Sequence, residues 1–332
     1  IISIDKIIAV ISIILFTYIN IKGASETGKT GTIVTVFQIA IIIILICVGV
    51  WTINSEPSWH MNFSDFLPLG ISGLIAAMGL TFIAFEGYEI IVQTGEEVKS
   101  PKRNIPRAIF ISLAIVVTLY CLIAFVAIGA SHTEDGTPTW KFIGNEGAMG
   151  ISKAVESFLP YGSLLVLIAG LVSTLAALNA TTFSSSRVAF AMGRHYNLPH
   201  QLSSIHTKNK TPHIATLISG IIMAIMASIL PLEQIALASG VIFLLLFTQV
   251  NIAVITIRRM YGDKLKYGFK IPFFPIVPII GIFLNLGLAV YLLITSPLSW
   301  VITIIWVLAG FTIYRLYTFK REIDHYAPII TS

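Results

Sequence analysis

Charge is what this 332-residue sequence lacks most: Asp, Glu, Lys and Arg together make up 11% of it, against 56% hydrophobic residues. So little charge, with a mean hydropathy of +0.88, excludes an ordinary water-soluble domain and points to a polytopic helical membrane protein. Cysteine is nearly absent. The two present, Cys47 and Cys121, lie inside apolar runs, so a disulfide framework is excluded and small core residues are expected. No GxSxG, HExxH, Walker or dinucleotide fingerprint occurs, which removes the usual signatures of hydrolase, metalloprotease and nucleotide chemistry. His195, His200, His206 and His213 fit neither an HxxxH pair nor a closed zinc pattern, so no metal and no cofactor is expected. The formal net charge of +5 is spread over several loops rather than gathered on one arm, so no nucleic-acid partner is expected either. No hydrophilic stretch of domain size and no Ser/Gly/Pro linker divides the chain, and residues 1–332 read as a single transmembrane domain in a lipid bilayer.

What is present is a series of nine apolar runs, near 7–19, 33–51, 67–98, 104–130, 161–192, 213–230, 233–257, 274–295 and 299–319. The first has no basic leader and no small-residue cleavage site, so it reads as a span rather than a signal peptide. Trp51 and Trp59 flank a polar stretch with Pro57, as expected at a headgroup boundary. Asn104 and Pro106 fit the cap and first turn of the fourth helix. Met149, Val155, Phe158 and Leu159 recur as one face of a short surface helix. In the fifth run Ala169, Ser173 and Ala177 stand four apart, a spacing that admits a close neighbouring helix. All 21 basic residues except Lys6, Lys141 and Lys153 fall on one side of the resulting topology. By the positive-inside rule that side is cytoplasmic, which puts the C-terminus inside and the first residue outside. An odd number of further helices is therefore expected ahead of residue 1.

The stretch from Leu80 to Arg107, LTFIAFEGYEIIVQTGEEVKSPKRNIPR, interrupts an apolar span with Glu86, Gly87 and Glu89. Glycine permits backbone conformations other residues resist, and charges at membrane depth persist only where they face a partner or a cavity. A broken helix lining a polar cavity fits both. Breaking a membrane helix frees carbonyls on one side and N–H groups on the other, and a zwitterion with an ammonium and a carboxylate can satisfy both. The competing reading is a glycine kink satisfied by neighbouring helices.

The runs FIAFEGYE and GEEVKSPKRNIPRAI resemble the sixth helix and following loop of amino acid permeases in the amino acid–polyamine–organocation superfamily. ALNATTFSSSRVAFAMGRHYNLP, with Thr211-Pro212 after it, is similar to the eighth helix and its loop, and KGASETGKTGTIVTVFQIA resembles the start of the fifth. The resemblance covers essentially the whole chain as helices four to twelve of a twelve-helix permease. It implies an all-α, leucine-transporter-like inverted-repeat fold, here partial with about nine transmembrane helices, which binds substrate near the midplane at discontinuous helices. It also implies a secondary transporter of the cell membrane that moves amino acids by alternating access, with protons or sodium ions as possible coupling partners. Three helices of the first repeat, with their glycine-rich break, would precede residue 1, and without them these 332 residues are not expected to transport.

By the same resemblance the carbonyls of Ile83, Ala84 and Glu86 receive the substrate amino group at the Gly87 break. Phe82, Phe85 and Tyr88 cluster there, where closing over a substrate, with Phe85 as the preferred gate, and ordinary apolar packing are both open readings. Glu89 stands where relatives often carry an acid, for which gating or protonation and a structural hydrogen bond are both open readings. Glu86 either faces the site and favours cationic substrates or contributes only its backbone. Asn179 and Thr181 either line the pathway or join helices. Gln38 aligns with a coupling lysine of proton-driven relatives and cannot hold its charge, which leaves Glu89, a sodium ion or simple exchange. Rival classes are a polyamine or organic-cation carrier, a non-transporting membrane subunit, and an intramembrane enzyme using Glu96 and Glu97. The last suffers because those carboxylates adjoin a basic loop where ion pairing is the ordinary outcome.

Overall fold

The computed structural model describes residues 4–23, 27–93, 95–133, 136–265 and 267–330; residues 24–26 of the KGASETGKTG motif lie outside it. Among the described residues twelve α-helices follow in order: α1 (Ile4–Lys22), α2 (Thr27–Ser55), α3 (Gly70–Phe82), α4 (Glu89–Gln93), α5 (Pro101–Gly129), α6 (Thr139–Asn145), α7 (Gly150–Glu156), α8 (Gly162–Arg194), α9 (His213–Ile229), α10 (Leu232–Tyr261), α11 (Ile276–Thr295) and α12 (Pro297–Ile330). Among the described residues eight segments are long and apolar enough to cross a membrane, with α3 and α4 counted together. The expected ninth is α9. Its 17 residues span about 25 Å at 1.5 Å per residue, slightly less than the hydrocarbon thickness, because Pro212 and Pro231 bound it closely.

One compact unit comprises residues 1–23, 74–108 and 181–332. Its core is Leu237, Val241 and Leu244 of α10 against Ala289 and Leu292 of α11. Trp300 of α12 donates its indole N–H to the Ala289 carbonyl at 3.0 Å, and Thr303 reaches the Ala238 carbonyl at 3.3 Å. α1 packs on α9, where a Cβ on Gly220 would run into Thr17. Thr211 and Asn209, just before α9, close that pair by donating to the Ile21 carbonyl at 2.7 and 3.1 Å.

The other unit comprises residues 24–73 and 109–180. Gly49 of α2 lies so close to Val126 of α5 that any side chain there would collide, and Ile46, Ile53, Val126 and Ala130 form the core at that crossing. Ile41, Leu45 and Val155 form a second core with Ala169 of the small-residue stripe packed against it. The expected surface helix exists as α7 with a preceding 3-10 turn at Gly147–Met149. Val155 is its buried anchor, while Met149 is 43% exposed and off the face expected for it.

Two sequence expectations are corrected. Cys47 and Cys121 are free but exposed rather than core residues, because in a membrane span an apolar neighbourhood is as common on the outer surface as inside. α5 begins at Pro101, not near Asn104. Pro101 takes the first helical position, where its missing N–H costs nothing, and the Ser100 carbonyl accepts from the Arg103 and Asn104 N–H groups at 3.0 and 3.1 Å. Pro106 therefore sits inside the helix and leaves the Lys102 carbonyl without its usual helical donor. Gly268, from the α10–α11 connection, lies directly against that carbonyl.

Candidate functional site

The third span is broken where its composition requires. α3 stops at Phe82, Ile83–Phe85 tighten into one 3-10 turn, and Glu86 turns extended with φ −66° and ψ 151°. Gly87 follows at φ +119°, a value that glycine alone adopts readily. α4 resumes at Glu89. Three short turns bridge the break: Glu86 N–H to the Ile83 carbonyl at 3.1 Å, and Ile90 and Ile91 N–H to the Gly87 and Tyr88 carbonyls, each at 3.2 Å. The Glu89 carboxylate folds back and accepts from the Gly87 N–H at 2.7 Å. Among the described residues, the Glu86 carbonyl and the Tyr88 N–H make no hydrogen bond. Glu86 Oε1 is buried and has no hydrogen-bond partner either. One backbone acceptor, one backbone donor and one carboxylate oxygen are thus left open within three residues of a membrane span, where open polar groups persist only if something satisfies them.

The break is braced on one side by α10. Ile83 stands 3.3 Å from where a Cβ on Gly240 would be, so this glycine permits a close approach. Tyr88 stacks on Phe247 with ring centroids 5.6 Å apart, and Phe82 meets the same ring edge-on at 6.3 Å. Beyond the break, the end of α8 holds the chain. Ser184 donates to Gln93, Arg187 pairs with Glu97 at 2.9 Å, and Arg194 pairs with Glu96. Positions 184, 187 and 194 share one helical face. Arg187 also lies over the Phe183 ring at 4.6 Å and Arg194 over Phe190 at 5.6 Å. The hydrogen bond from Arg194, then its charge, holds the Glu96 carboxyl below the usual carboxylate range. Glu96 and Glu97 are each committed to an arginine and form no acid–base pair.

Of the residues expected at the site, Ile83, Ala84, Phe85, Glu86, Gly87 and Glu89 are brought together by the break itself. Ile83 already accepts one backbone bond, so its carbonyl has one lone pair left. Thr181 belongs to the same unit and is exposed, while the neighbouring Thr182 is fully buried. Gln38 and Asn179 belong to the other unit, where Gln38 Nε2 donates to Ser173 Oγ at 2.8 Å and joins α2 to α8. Sequence reasoning missed Gly240, Phe247, Gln93, Ser184, Arg187 and Arg194. The two arginines had a legible signal: they sit at the end of an apolar helix, and Glu96 and Glu97, expected to pair with the adjoining basic loop, pair with them instead. Phe247 and Gly240 had none, since both look like ordinary span residues. Of the histidines, His200 stacks on Tyr196 at 4.7 Å and His206 meets His213 edge-on at 5.3 Å.

A family model described as amino acid permease matches residues 3–314 of the chain. The chain is 29% identical to the methylthioribose transporter of Bacillus subtilis (strain 168), over 95% of the chain and 65% of that protein. It is 28% identical to the branched-chain amino acid permease BcaP of the same organism, over 95% of the chain and 64% of that protein. It is also 28% identical to the serine/threonine exchanger SteT of that organism, over 94% and 69% respectively. The chain spans about 65% of the length of the curated relatives it matches first.

Proposed function

The chain belongs to the amino acid permease family, a family of transporters rather than enzymes, and from that premise we propose that it serves in secondary active transport, moving amino acids across the cell membrane by alternating access. The observation that carries this reading is the set of open groups at the Gly87 break. The Glu86 carbonyl suits a substrate ammonium and the Tyr88 N–H a substrate carboxylate, and the family match supports an amino acid as the occupant. In this reading residues 1–332 act as one permease domain of the leucine-transporter-like kind. Phe85 closes over the substrate, Asn179 and Thr181 line the pathway, and Glu89 or simple exchange provides the coupling in preference to sodium. The basic loops at 99–107, 195–210 and 258–270, with the C-terminus, are cytoplasmic by the positive-inside rule.

Counterflow tests the proposal. Proteoliposomes holding the product of the full reading frame and loaded with unlabelled amino acid should accumulate the labelled one; a non-transporting subunit gives no exchange, and that result would refute the reading. A second reading, an organic-cation carrier, is favoured by the buried, unpartnered Glu86 Oε1, since a carboxylate oxygen in that state suits a cationic group. Glu86→Gln separates the two: loss of polyamine or cationic amino acid exchange with neutral exchange intact selects the cation carrier, and unchanged selectivity selects the neutral one.

A further inference from the structure

At the mouth of α5 four cations, Lys99, Lys102, Arg103 and Arg107, fall within nine residues, and all four are exposed. Among the described residues none of them has an ion pair. The two carboxylates nearest in sequence cannot compensate them, because Glu96 and Glu97 are taken by Arg194 and Arg187. The four charges are not on a loose tail. Asn104 Nδ2 donates to the Lys99 carbonyl at 2.6 Å, the Ser100 carbonyl closes the turn with Arg103 and Asn104, and Gly268 backs the Lys102 carbonyl. From Pro101 to Arg107 the helix rises about 9 Å, comparable with the roughly 5–8 Å depth of one headgroup layer. Beyond it α5 continues as an apolar span.

We propose that this cluster is a binding site for the phosphate of an anionic phospholipid headgroup. Arginine offers a planar fork that matches two phosphate oxygens, and lysine a mobile point charge, so Arg103 and Arg107 fix the phosphate while Lys99 and Lys102 hold it electrostatically. Four uncompensated cations on one held stretch of backbone differ from scattered topology signals in that one headgroup can meet several of them at once. The site does not depend on what the protein transports.

The test is lipid retention by the purified protein, read by native mass spectrometry after exposure to equal amounts of phosphatidylglycerol and phosphatidylcholine. The protein should retain phosphatidylglycerol preferentially. Each of Arg103→Gln and Arg107→Gln should weaken that retention about fivefold, and the fourfold variant with Lys99→Gln and Lys102→Gln should abolish the preference. Should the fourfold variant fail to insert, the two single variants still decide. Lys208→Gln with Lys210→Gln, exposed cations of another loop, should leave the preference intact. Equal retention of both lipids overturns the proposal, as does equal loss in the Lys208/Lys210 control. So does tight binding of soluble inositol hexakisphosphate that phosphatidylglycerol does not displace.

Discussion

Gly87→Ala is the sharpest probe of the break. At φ +119° an alanine is strained, yet no atom lies within 4 Å of the position its Cβ would take. For alanine the cost is therefore conformational rather than steric. Holding a non-glycine residue in such a region costs about 2 kcal/mol, and at 1.4 kcal/mol per decade that lowers the ratio of broken to unbroken conformations about 30-fold. Gly79→Ala is the matched control. That glycine is helical, its Cβ would meet Tyr291 at an ordinary 3.6 Å, and alanine there gains helix propensity of about 1 kcal/mol. Initial counterflow rates in proteoliposomes, normalised to inserted protein, should fall for Gly87→Ala, by up to about 30-fold, and stay near native for Gly79→Ala. If Gly87→Ala exchanges substrate as fast as the native protein while remaining fully inserted, the open groups at the break are not the substrate site.

Two further outcomes follow from the contacts around it. Because the Glu96 carboxyl is held below its ordinary value of 4.5 by Arg194, the pair stabilises the fold above that pH, and the contribution is lost as the pH falls through the depressed folded value. The thermal unfolding midpoint of Arg194→Gln should accordingly lie below native at pH 7 and converge with it in acid or in high salt; a gap that is constant with pH would contradict the assignment. Gln38→Lys places an ammonium beside Ser173 Oγ, and uptake should become dependent on an imposed pH gradient. Unaltered pH dependence would remove Gln38 from the coupling residues.

The spans and the break were legible because both rest on strong local chemistry. A bilayer demands long apolar runs, and Glu86-Gly87 inside one is costly enough to show in the sequence alone. The face each helix turns inward was not legible. Cys47 and Cys121 read as core and are exposed, since lipid and protein interior select the same side chains. The start of α5 was misread because two prolines compete for its first turn, and only the Ser100 carbonyl, placed by backbone geometry, decides for Pro101. Phe247 and Gly240 brace the break from more than 150 positions away, a pairing that no local pattern encodes.

The seat of Gly268 on the Lys102 carbonyl bears on how the protein can be engineered. In sequence the connection between α10 and α11 looks like an open hydrophilic tether, the sort of place chosen for an epitope tag or a fluorescent insertion. It is instead pinned at one point by backbone against backbone. A Cβ at 268 would come within 2.9 Å of Lys102 Cβ as well as striking its carbonyl, so any residue but glycine must displace either the strap or the first turn of α5. An insertion there would therefore perturb a transmembrane helix that lies well over a hundred residues earlier in the chain, and a reporter placed in this loop would report on its own disturbance.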